Sequence, residues 1–243
     1  GAVALDAQTT ASYNTAVGYN SGSANTSGSQ NTFIGRYAGA ATTTGADNVV
    51  VGSGALATNT TGSDNTAIGK GALNANTTAT GNVAVGHDAL LDNTTGASNV
   101  ALGSHALANN TTADNNTAVG VLALTTNTTG ARNTAVGLSA LEANTTASNN
   151  TGIGTGALYA NTTGASNTAV GDAALDASTT GDSNSAVGHH ALGANTTGSN
   201  NTAMGYGALE AATTAGDNTA FGTAALASTN HTRNLGIGYR ALT

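Results

Sequence analysis

Two pairs of residues seventeen apart each combine an acid with an imidazole: Asp88 with His105, and Asp172 with His189. His87 and Ser104 adjoin the first pair, and Tyr206 follows the second at the same spacing. If residues seventeen apart are neighbours in space, the first group holds the parts of a Ser-His-Asp relay, in which imidazole accepts a hydroxyl proton and a carboxylate orients the ring. The plainer reading is an exposed turn where a carboxylate steadies an imidazole. It outweighs the first, because acyl chemistry also needs a pocket, oxyanion donors and exclusion of water. Asn-Thr-Thr at Asn76, Asn93 and Asn144 matches a glycosylation acceptor, but its regular recurrence favours a structural column. GxGxxA occurs at Gly52–Ala57, Gly152–Ala157 and Gly236–Ala241; it binds a dinucleotide only between a strand and a helix. G-x-S-x-G, H-E-x-x-H, the phosphate-cradling GxxxxGK[ST] and the repeated calcium nonapeptide are all absent. The residues therefore predict no enzyme, with no catalytic residue, no cofactor site and no metal site.

The elements that would position these groups follow from the period. Gly recurs every seventeen residues from Gly1 to Gly222, and Gly238 comes one residue early. With that Gly numbered position 5 of a coil, position 1 is Asn from Asn14 to Asn234, and position 4 is always large and apolar, from Val17 to Phe221. Position 8 is Ala except Ser21, and position 9 is Leu except Gly22 and Gly39. Positions 13 and 14 are nearly always a Thr pair. Seventeen residues are too few for a helical hairpin, and Thr, Asn and Gly in every unit weaken helices. Thr-Ala-Val at positions 2–4 reads as a three-residue strand ended by Gly at a corner. A second strand is expected from position 8 to about 13.

The predicted fold is all-β: a parallel β-solenoid, or β-roll, of about fifteen 17-residue coils. At about 4.8 Å between strands it would be a rod on the order of 70 Å long. Residues 1–243 read as a single repeat array, an excerpt of a longer fibrous chain. Columns of identical residues then have a physical cause. Asn at position 1 can pass side-chain hydrogen bonds along the stack, Gly at position 5 can adopt positive φ, and Thr columns suit a pleated face.

Alternation along a strand sends positions 2 and 4 to one side and position 3 to the other. Position 4, with the larger side chains, is the expected core column. Position 3 is nevertheless apolar or Gly as well, and positions 8 and 9 pair Ala with Leu, which an extended strand cannot both turn inward. One member of each pair would be left as an exposed apolar stripe, and such stripes mark contacts. This predicts a homo-oligomer, a trimer of packed or intertwined copies.

Composition agrees with a non-globular architecture. Gly is 34 of 243 residues, charged residues are 7%, and Pro, Cys and Trp are absent. Absence of Pro suits a chain whose N–H groups are needed in ladders. A net charge of −7 with five basic residues excludes the electrostatic footprint of nucleic-acid binding. No apolar run approaches the length of a membrane-spanning helix.

NTAVG, NTAIG, NVAVG and NVALG resemble the strand motif in head repeats of trimeric autotransporter adhesins, although the unit here is longer. The phrase NTAVGxxALxxNTTG, met in full at Asn116–Gly130, is similar to repeats in phage tail fibres and related surface proteins. The resemblance implies a left-handed β-roll in an extracellular, cell-surface or virion setting. It also implies a structural or adhesive shaft or head segment, with a host-cell surface or glycan receptor as partner. Ice binding by regular Thr and Asn ladders is the alternative, weakened because adjacent Thr residues on a strand face opposite ways.

Overall fold

A computed structural model of the chain describes residues 1–242. Every regular element is a three-residue strand, and no helix occurs among the described residues. The chain divides into two compact units, residues 1–121 and 122–243. The first holds β1 (Thr15–Val17), β2 (Thr32–Ile34), β3 (Val49–Val51), β4 (Thr66–Ile68), β5 (Val83–Val85), β6 (Val100–Leu102) and β7 (Thr117–Val119). The second holds β8 (Thr134–Val136), β9 (Thr151–Ile153), β10 (Thr168–Val170), β11 (Ser185–Val187), β12 (Thr202–Met204), β13 (Thr219–Phe221) and β14 (Leu235–Ile237).

Within each unit every strand pairs in parallel with the next, and like positions face like: Thr15 lies beside Thr32, and Thr151 beside Thr168. The parallel β-solenoid expected from the period is therefore the fold, with one strand per coil. Between β13 and β14 the register advances by sixteen, pairing Thr219 with Leu235. The missing residue falls between Asn230, still seventeen from Thr213, and Asn234, sixteen from Asn218. Asn230 Oδ1 accepts the N–H groups of Thr213 and Thr214, where other coils offer a backbone carbonyl.

Two expectations are corrected. The core column of the strand is position 3, not position 4. Phe33, Val50, Ala67, Ala135 and Ala169 are fully buried, whereas Val17, Ile34, Ile153 and Met204 are exposed. No second strand spans positions 8–13 either; the chain turns continuously there. Ala at position 8 donates its N–H to the position 5 carbonyl of its own coil, as in Ala157 to Gly154 at 3.3 Å. Leu at position 9 then takes φ between 48° and 56°. Because the backbone is not extended, the alternation rule does not apply, and Ala and Leu both turn inward: Ala140 and Leu141 are each 0% exposed. The 8/9 pair consequently needs no partner copy to cover it.

The left-handed conformation explains the choice of Leu. It costs about 1–2 kcal/mol for an L-residue and more for a β-branched one, which Leu avoids. Complete burial of the side chain contributes about 1.5–3 kcal/mol, and the turn is tied into ladders. Leu141 N–H donates to Ala157 in the next coil at 3.0 Å. At the position 5 corner, Gly18 through Gly222 adopt φ of 127–145°, and an added Cβ would run into the carbonyl of the neighbouring coil's Gly. Both the dihedral and the approach demand Gly there.

The remaining interior is polar and hydrogen-bonded in ladders, with gaps at Asn25, Thr42, Asn161 and Ser178. Asn at position 1 forms the expected ladder: Asn48 Nδ2 and backbone N–H both donate to Asn31 Oδ1 at 3.0 Å. A second buried Asn ladder runs at position 12, with Asn76 Nδ2 donating to Asn59 Oδ1 at 2.9 Å. Both columns converge on the position 15 carbonyl. Gly62 O accepts from Asn48 Nδ2 at 3.0 Å and from Asn59 Nδ2 at 2.9 Å, using both lone pairs. Thr at position 13 donates Oγ1 to the next coil's carbonyl, as Thr60 does to Thr77 at 3.0 Å.

Candidate functional site

The coil edge at positions 6 and 7 gathers the acid and imidazole groups. On the turn after β5, His87 Nδ1 lies 3.4 Å from Asp88 Oδ2; His105, one coil on after β6, brings Nε2 to 3.9 Å from the same oxygen. The two imidazoles are 5.3 Å apart and tilted by 56°. Ser104 Oγ lies 2.9 Å from His105 Nδ1. Asp88 is seated by its lower neighbour in the column: its Oδ1 occupies the space that a Cβ on Gly71 would take. The three side chains are 46%, 22% and 45% exposed.

This grouping does not assemble a relay. A separation of 3.9 Å between His105 and Asp88 is beyond a hydrogen bond, so the carboxylate does not fix the ring as a general base requires. No enclosed cavity occurs among the described residues. On this exposed turn the Ser104 hydroxyl, and not the carboxylate, stands at hydrogen-bond distance from the His105 ring.

After β10 and β11 the second group differs. His189 Nε2 is 3.3 Å from Asp172 Oδ2, and its ring stacks on Tyr206 at 5.2 Å with 9° between planes. His190 meets His189 edge-on at 4.2 Å. Asp176, four residues from Asp172, has its carboxyl held above the usual value by burial, partly opposed by the charge of His190.

Asn76, Asn93 and Asn144 are fully buried, and their Nδ2 atoms are committed to ladder bonds of 2.8–3.1 Å. The folded chain thus offers no acceptor amide at these positions. The GxGxxA segments lie in coils and precede no helix. Among the described residues no helix is long and apolar enough to cross a membrane.

The strand face carrying positions 2 and 4, expected inside, is turned outward. In each unit the outward strand positions form two uncharged columns, mostly hydroxyl or Val at position 2 and large apolar at position 4, with Leu235 at position 2 and Met204 and Phe221 at position 4 in the second unit. On β8 to β11 these are Thr134 and Val136, Thr151 and Ile153, Thr168 and Val170, Ser185 and Val187, each half-buried or exposed. No family model, curated protein or solved structure matches the chain.

Proposed function

We propose that this chain is a non-catalytic structural and adhesive segment of an extracellular fibre, carried by a cell-surface adhesin or a phage tail fibre. It self-associates as a homo-oligomer, a trimer, and meets a host surface or glycan. The observation that carries this reading is the regularity of the coil: apart from local departures such as Phe33, Thr42 and Ser178, the coils repeat one hydrogen-bonded interior and one uncharged strand face. Such a unit extends indefinitely by stacking, since each coil is stabilised by its neighbours. The position 4 column supports self-association, because a line of aliphatic side chains along a sheet favours burial against another surface. Sedimentation equilibrium tests the assembly, and binding of labelled chain to immobilised glycans and cell surfaces tests adhesion. A stable monomer that adheres to none of these would remove the proposal, as would hydrolytic activity lost on His105→Ala.

The strand face also favours a second reading. Positions 2 and 4 alternate outward on the same face, the arrangement a flat array needs and the position 13/14 Thr pair lacks. Hydroxyl and aliphatic groups repeated once per coil could order water in a lattice and bind ice. A gap between freezing and melting points, abolished by Thr168→Lys, is the expected sign. Coincident freezing and melting in the unaltered chain would exclude it.

A further inference from the structure

We propose that His87, Asp88 and His105 form a binding site for a borderline divalent transition ion, with Zn²⁺ as the reference ligand. Their donor atoms all lie within 4.8 Å of one another. Tetrahedral zinc, with Zn–N near 2.0–2.1 Å, places its donors about 3.3–3.4 Å apart. His87 Nδ1 and Asp88 Oδ2 already stand at 3.4 Å, so closure requires only His105 to swing inward. A half-exposed imidazole does this by side-chain rotation, with no backbone movement.

Two neighbours organise the site. Gly71 leaves the space that seats Asp88 Oδ1, which turns Oδ2 toward both rings. Ser104 Oγ meets His105 Nδ1 at 2.9 Å. With Nδ1–H donating to that hydroxyl, the Nε2 lone pair points toward Asp88, the tautomer a metal requires. This is the outer-shell support by which metal-binding imidazoles are held. Two imidazoles and one carboxylate select Zn²⁺, Cu²⁺ or Ni²⁺ over Mg²⁺ and Ca²⁺, which prefer all-oxygen shells. Water completes the coordination on the exposed side.

The other imidazole cluster supplies an internal control. His189 is committed to a stack with Tyr206 and an edge contact with His190, and no three donors converge there among the described residues.

Chelator-treated full chain titrated with ZnCl₂ should bind one equivalent by calorimetry. The ring signals of His87 and His105 should move together by NMR, while those of His189 and His190 stay in place. His105→Ala and Asp88→Asn should each weaken binding at least tenfold, and Ser104→Ala roughly tenfold, with unchanged circular dichroism. Mg²⁺ at the same concentration should shift none of these signals. Equal Zn²⁺ affinity in the unaltered chain and His105→Ala, or saturation first at His189, would overturn the assignment.

Discussion

Phe33 is the one aromatic side chain in the strand core, and its place is made by two absent leucines. It stands at position 3, where Ala is usual, and it is completely buried. The coils on which it draws carry Gly22 and Gly39 at position 9 instead of Leu. A Cβ on Gly22 would lie 2.6 Å from Phe33 Cδ2, and one on Gly39 would overlap the ring directly. Phe33→Ala should therefore cost about 3–5 kcal/mol, the loss of a buried ring plus the cavity left behind. Gly39→Leu alone should destabilise by at least about 1–3 kcal/mol through overpacking. The triple change Phe33→Ala, Gly22→Leu, Gly39→Leu restores the common coil. Each new Leu returns about 1.5–3 kcal/mol, and the backbone already fits, since Gly22 and Gly39 have φ of 57° and 58° against 48–56° at the leucines. Stability should then lie within about 2 kcal/mol of the original, a coupling of at least about 3 kcal/mol, at or above the upper end of that seen between touching residues. Urea unfolding followed by circular dichroism gives the global value, and hydrogen exchange at β1 to β3 gives the local one, because a repeat array can open in parts. A triple variant as unstable as Phe33→Ala would refute the inward placement of position 3.

Gaps in the position 12 ladder make a second test. Asn25 Oδ1 and Asn161 Oδ1 are buried without a partner, as are the hydroxyls of Thr42 and Ser178 that follow them; Thr42→Asn and Ser178→Asn should each stabilise by about 1–2 kcal/mol, read as a rise in urea midpoint. Asp176 tests burial at the coil edge. Its folded carboxyl is raised, so the folded state holds that proton more tightly and stability falls as pH rises from the usual 3.8 through the raised value. Asp176→Asn should gain nothing below 3.8 and show its advantage above that window, checked by unfolding at acid and neutral pH.

Much of this was legible because a stack converts sequence period into spatial neighbourhood. Asn133 and Gly137 are at the ladder and the corner that their invariance implied, and the strand Thr134–Val136 has the expected bounds. The face was inverted. Size made Val136 look like core and Ala135 like surface, yet Ala135 is fully buried; the turn leucines pack over this column, as Leu141 does against position 3 of the next coil, 3.3 Å from where a Cβ on Gly152 would lie. That could not be read from an alternation rule, since Leu141 sits at φ 53°, outside the strand geometry on which the rule rests. Pairing of Phe33 with Gly22 and Gly39 was the available clue to the true orientation. The His87, Asp88 and His105 cluster was visible as a column, but its convergence depends on side-chain direction, which the period does not carry.

Sedimentation equilibrium of the unaltered chain and of Val85→Lys with Ile153→Lys tests the strand face as the working surface. Both replaced residues lie outward at position 4, on β5 and β9, so the fold should be untouched and circular dichroism unchanged. The expected result is three times the 23.2 kDa chain mass for the original and a single chain mass for the double variant. A 23.2 kDa monomer for the original, at concentrations in the tens of micromolar, would contradict assembly through this face.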